Sequence, residues 1–132
     1  MTLPCITGCT SSIFKSEGDK AVEFVEEKYG IQIDPQAYES GGFVTDSDTV
    51  WCYAEGMDRE NEDLLILITK ENGETVYYDN YFSYIATPMI EEYASSFFSE
   101  QFDDFKLYNM DDLSYFPNEL NYGSTMEDIY TY

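Results

Sequence analysis

Apolar residues first recur with a helical period between residues 16 and 29. Ala21, Val22, Val25 and Tyr29 share a face, Phe24 sits beside them, and Glu23, Glu26 and Glu27 turn to water. Ser16-Glu17-Gly18-Asp19 places a capping serine and two acids at the positive end of that helix, and Gly30 is a natural stop. Residues 31–38 read as an extended stretch interrupted by Pro35, and Gly41-Gly42 as a turn. The period then shortens to two. Residues 43–54 predict a strand bent near Asp46-Ser47-Asp48, with Val50, Cys52 and Ala54 on one side and Trp51 and Tyr53 on the other.

After a charged loop over 55–63, the apolar run Leu64–Ile68 predicts a central strand covered on both faces. Asn72-Gly73 lies between two β-rich runs and specifies a tight hairpin turn with positive φ. The return strand spans 75–85 and is rich in aromatics. Thr87-Pro88 predicts the start of a second helix, with Thr as cap and Pro at the first helical position. Met89, Ile90, Tyr93, Ala94, Phe97 and Phe98 form its expected buried stripe, and Glu91 and Glu92 fall in its first turn. A further strand is expected over 105–110, and Ser124 or Thr125 can cap a last helical turn. The order predicts an α+β fold, an antiparallel sheet of about four strands with two helices packed on one face. Residues 16–132 form its single domain, and 1–15 stand apart as a short signal and tether.

Charge changes this picture in one respect. The 132 residues carry 27 acids against six bases, Lys15, Lys20, Lys28, Arg59, Lys70 and Lys106, for a net charge of −21. The acids run through the whole chain, so they belong to the domain and not to a tail. A 17% aromatic content marks a chain that packs a core. So few bases disfavour direct binding to nucleic acid or to an anionic lipid surface. The chain has no His, which removes His-based triads, metal sites and pH switches. It also has no apolar run of about 18 residues, the length that spans a membrane.

Among the three cysteines, Cys9 stands out. Ile6-Thr7-Gly8-Cys9 has the aliphatic residue, the small residue and the obligatory Cys of a bacterial lipoprotein cleavage site, and Thr10-Ser11-Ser12 suits a flexible tether. The basic residues and longer apolar stretch of a full signal peptide are not within Met1–Ile6, so the expectation is that the true start lies upstream or that Met1 is a chosen start. Cys9 is the expected lipidation site. Cys52 reads as a small buried hydrophobe, because Val50, Trp51 and Tyr53 offer no base or cation to activate it.

Other chemistry is weaker. Asp58, Glu60, Glu62 and Asp63 are candidate calcium ligands, but their loop lacks the alternate-residue pattern and Gly of an EF-hand, and Asp46-Ser47-Asp48 fails the same test. A solvated loop is the preferred reading, and no metal or other cofactor is expected. Asp103-Asp104 and Asp111-Asp112 are adjacent acids of the kind that 27 acids produce by chance, so no hydrolase is expected. Thirteen Tyr exceed what a core accommodates, because a buried hydroxyl needs a partner. Trp51, Tyr53, Tyr77, Tyr78, Tyr81 and Tyr84, together with Phe82, cluster on two predicted strands and form a candidate binding surface.

Val25-Glu26-Glu27-Lys28-Tyr29-Gly30, Asp79-Asn80-Tyr81-Phe82, Phe116-Pro117-Asn118-Glu119-Leu120 and Met126-Glu127-Asp128-Ile129 together resemble small uncharacterised secreted lipoproteins of clostridia-like Gram-positive bacteria. The resemblance covers most of the chain after Cys9. It implies an extracytoplasmic location and brings no catalytic residue with it. The expected function is thus a lipid-anchored, non-catalytic binding or accessory domain for a protein or small ligand, touching the membrane only through its anchor. The alternative is a cytoplasmic acidic DNA mimic that inhibits a nucleic-acid-binding protein.

Overall fold

The computed structural model describes residues 16–42, 46–106 and 115–131. Helix α1 (Glu17–Tyr29) is followed by strands β1 (Ile33–Glu39), β2 (Asp48–Ala54), β3 (Leu64–Glu71) and β4 (Glu74–Asp79), then helices α2 (Tyr81–Ser99) and α3 (Met126–Tyr130). The strands form one antiparallel sheet in the order β1-β2-β3-β4, each paired to its neighbour in sequence. The α+β class and the four-stranded antiparallel sheet agree with the reading of the sequence.

Local chemistry sets both ends of α1. The Ser16 hydroxyl accepts from the Asp19 amide at 3.1 Å while the Asp19 carboxylate accepts from the Ser16 amide at 3.0 Å, a reciprocal capping box. Gly30 ends the helix at φ 66°, where its amide donates to the Glu26 carbonyl. No atom lies within 4 Å of where a Gly30 side chain would start, so only the backbone resists substitution. Gly30→Ala is expected to cost about 1–2 kcal/mol in urea unfolding, the penalty for a Cβ in the left-handed region.

Helix α1 crosses one face of the sheet and touches all four strands. Ala21, Val25 and Tyr29 meet Val50, Cys52, Ala54, Leu64, Ile66 and Ile68, all buried. The pairings Val50↔Ile66 and Cys52↔Leu64 put those side chains on one face, as the period of two requires. The β3–β4 hairpin turns at Asn72 (φ 53°) and Gly73 (φ 87°), as the Asn-Gly pair predicts. Pro35 lies in the edge strand β1 beside a register shift between Pro35 and Ala37. The opposite edge, β4, is protected where the Asn118 amide group donates to the Tyr77 carbonyl at 2.7 Å.

The second half of the chain departs from expectation at four places. The return strand stops at Asp79 and not at 85, and Tyr81, Phe82 and Tyr84 lie in α2. Two side chains force the change. Asp79 accepts from the Tyr81 amide at 3.0 Å. Asn80 accepts from the Leu65 amide at 2.8 Å and donates to the Asp63 carbonyl at 3.0 Å. These bonds turn the chain where a ladder would continue. Thr87-Pro88 is consequently inside α2 and not at its start. The Thr87 hydroxyl donates to the Ser83 carbonyl at 2.8 Å, one turn back, and Pro88 has no amide to bond the turn before it.

The stripe on α2 is the third departure. Phe82 and Ala86 in its first turns join the core, but Tyr93 and Phe97 are 52% and 57% exposed. The fourth strand is β1, and residues 105–106 are not strand. Positions 107–110 of that expected strand, 43–45 of the strand over 43–54, and Cys9 lie outside the described residues. Thr125 caps α3 as expected, through a capping box with Asp128.

Candidate functional site

The aromatics singled out from the sequence do not form one surface. Trp51, Tyr53 and Tyr78 lie on the sheet face turned away from α1, with Trp51 opposite Leu65 and Tyr78 opposite Leu67. Tyr77 lies on the α1 face, its ring 5.5 Å from Phe24 and its hydroxyl donating to Glu17 at 3.1 Å. Tyr81 and Tyr84 are helical. None of the six is more than half-exposed. Most are occupied internally. Tyr78 donates to Glu71 at 2.6 Å, Tyr84 to the Asp63 carbonyl at 2.8 Å, and Tyr81 shares a 2.7 Å bond with Tyr122. The Arg59 guanidinium lies 4.9 Å over the Tyr53 ring. The Trp51 indole N–H is buried without a hydrogen-bond partner.

The acidic loop is largely exposed and bonds to itself. Asp58 accepts from the Glu60 amide at 3.1 Å and from the Asn61 side chain at 2.7 Å, while Glu62 accepts from the Asp58 amide at 2.8 Å. The Asn61 bond, then the Glu60 amide, holds the Asp58 carboxyl below its usual range. Glu60 and Asp63 are exposed. Among the described residues no three acids or cysteines stand close enough to hold a metal ion. Cys52 is buried and its thiol is pushed up to about 12, chiefly by burial, so at neutral pH it is no nucleophile.

Two features of the structure were not foreseen. The first is a buried polar centre where α1, β4 and the chain after residue 115 meet. Asp79 is almost fully buried; it takes the Lys28 ammonium at 2.8 Å, the Tyr29 hydroxyl at 2.9 Å and the Tyr81 amide at 3.0 Å. The Asn118 carbonyl oxygen lies 3.4 Å from Lys28. The rings of Tyr81 and Tyr122 stand edge-on to Tyr29 at 4.9 and 5.8 Å. These bonds tie α1 to β4 and to the segment that carries Asn118.

Burial, then the adjacent Asp79 carboxylate, raises the Tyr29 phenol above its ordinary value. A raised folded-state pKa means the native state keeps a proton that the unfolded chain releases above about pH 10. That contribution is complete below about pH 10 and declines above it. Unfolding free energies measured in urea at rising alkaline pH should fall, and fall less steeply in Tyr29→Phe.

The second feature is the far half of α2. Tyr93, Phe97, Phe102 and Tyr130 are all more than half exposed. Their rings form a chain of contacts in two groups: Tyr93 with Tyr130 at 5.7 Å, and Phe98 with Phe97, Phe102 and Phe105 at 5.5–6.3 Å. A shallow groove of about 330 Å³ opens between α2 and α3, lined by Met89, Glu92, Tyr93, Ser96 and Met126. The sequence pattern named most of these α2 residues, but as core. A helical stripe reveals that a face is apolar without revealing what covers it.

The fold and these surfaces describe a small acidic α+β domain with exposed rings on one helix. No family model matches the chain, no curated protein matches it, and no solved structure matches its fold. No helix among the described residues is long and apolar enough to cross a membrane.

Proposed function

We propose that the chain is a non-catalytic binding or accessory domain, held at the outer face of the cell membrane by a lipid on Cys9. The observation that carries the binding role is the exposed aromatic surface of α2 and α3. Folding a chain of this charge leaves Tyr93, Phe97, Phe102 and Tyr130 in water, and clustered exposed apolar side chains on a soluble domain mark interaction sites. The buried chemistry supports the same reading: Lys28 and Asp79 are largely buried and bonded to each other, and the Cys52 thiol is inert at neutral pH.

The anchor rests on the run Ile6-Thr7-Gly8-Cys9, on the polar tether that follows it, and on the resemblance to small secreted lipoproteins. Its test is metabolic labelling of the native gene product with a palmitate analogue. Label that disappears in Cys9→Ser is expected, together with release of the protein from the membrane fraction. No label on the native product, or label that survives Cys9→Ser, refutes the anchor. The cytoplasmic DNA mimic predicts no lipid and competition with DNA for a basic protein. Rings protruding among the acids have no counterpart on a phosphate backbone, which favours a protein-binding role instead.

A further inference from the structure

We infer that the groove between α2 and α3, with the rings beside it, receives a cationic amphipathic helix of a partner protein. The inference rests on the binding role proposed above and specifies the chemistry of the ligand. Three observations carry it.

The first is shape. At about 100° per residue, Tyr93, Phe97, Ala94 and Phe98 share one stripe of α2, and Ile90 at its near end packs against the core. That stripe leads into the groove lined by Met89, Tyr93 and Met126. A ridge of rings beside a concave, methionine-lined seat accepts the apolar face of a helix, and thioethers adapt to the side chain that enters. The second is charge on the same face. Glu91 and Glu100 border the stripe, Glu92 lines the groove, and Asp103 and Asp104 follow the helix; all are exposed. Residues 81–105 and 115–131 contain no Lys or Arg, Lys106 follows two residues after Asp104, and the bases at 20, 28, 59 and 70 lie on α1, β3 and the loop before it. The third is the partnering of those bases. Lys20 pairs with Glu17, Lys28 with Asp79 and Arg59 with Asp34, and Lys106 alone stands beside the five acids Glu91, Glu92, Glu100, Asp103 and Asp104, so this face keeps a net negative charge.

Acids bordering an apolar seat select against anionic ligands as strongly as they attract cationic ones. A second copy of this chain would bring −21 against −21, and an anionic bilayer would repel the same face. A partner with Lys or Arg on the borders of an apolar helical face satisfies both halves of the surface.

The test uses the full chain and three labelled peptides of about 18 residues, long enough to form a helix on a surface. One is Leu/Lys with helical periodicity, one has the same pattern with Glu for Lys, and one has the same Lys content with Ser for Leu. Fluorescence anisotropy at physiological salt should show binding of the Leu/Lys peptide alone. Phe97→Ser and Met126→Ser should each weaken it at least about tenfold, as loss of a central anchor does. Tyr38→Ser, an exposed ring on the edge strand β1, should leave it unchanged. Equal binding of the Ser/Lys peptide, or binding indifferent to both substitutions, overturns the inference, because bulk charge then suffices. Binding of the Glu peptide that Phe97→Ser abolishes overturns the cationic partner while leaving α2 as the binding surface. A concentration-dependent dimer that Phe97→Ser dissolves also overturns it, since the surface then belongs to a second copy.

Discussion

Asp79→Ala is expected to destabilise the domain by about 3–5 kcal/mol, since it leaves a buried ammonium without its counter-ion. Lys28 and Asp79 pair at 2.8 Å with their side chains 8% and 0% exposed. The same substitution strips the acceptor from the Tyr29 hydroxyl and from the Tyr81 amide. A domain of this size has about 5–15 kcal/mol of net stability, so such a loss is a large share of the total. Thermal unfolding followed by circular dichroism should show a midpoint lower by roughly 10 °C or more. The double variant Lys28→Met with Asp79→Asn should recover much of that loss. It removes both charges and keeps an oxygen for Tyr29 and Tyr81. If Asp79→Ala alone changes the midpoint by less than a few degrees, the centre does not tie α1 to β4 as described.

The second large effect belongs to Phe82. Among the described residues it is the largest fully buried side chain, and its ring stands edge-on to Phe116 at 5.2 Å. Phe82→Ala removes that contact and opens a cavity, which costs about 3–5 kcal/mol in close-packed cores. Two segments depend on this one ring. Phe82 fixes the first turn of α2, and Phe116 fixes the stretch that carries Asn118 across the open edge of β4. Urea unfolding should give the lower stability. Hydrogen exchange should also show loss of protection at α2 before β2 and β3 are affected. Uniform loss across the sheet, with α2 no more affected than β3, would contradict this division of the core.

What the sequence could reveal depends on the range of the interaction that sets each element. The helix opening at Ser16 with its acidic first turn, the stop at Gly30, the Asn72-Gly73 hairpin and a cap at Ser124 or Thr125 all act within a few residues, and all were legible. So was the alternation of Val50, Cys52 and Ala54 with Trp51 and Tyr53, which the sheet reproduces. The end of β4 was not. It is decided by Asn80 reaching Asp63 and Leu65, 17 and 15 residues back, and the aromatic run after it has the composition of a strand. Thr87-Pro88 then looked like a helix start because the preceding six residues did not look helical.

The buried centre was illegible for the same reason, since Lys28 and Asp79 are 51 residues apart. The candidate surface shows the converse limit. Tyrosines on the predicted strands drew attention by their number. Yet the structure gives Tyr77, Tyr78, Tyr81 and Tyr84 internal hydrogen-bond partners and leaves the rings of α2 in water. Periodicity identifies an apolar face equally well whether the protein covers it or presents it.

The binding proposed for this domain is to a protein partner through the far half of α2. Its most direct test is a photo-crosslinking residue placed at position 97 in the native gene product and irradiated in intact cells, with position 70 on β3 as the control. A discrete adduct of higher mass from position 97, absent from position 70, is the predicted result. No adduct from position 97, or the same adduct from both positions, would contradict the claim.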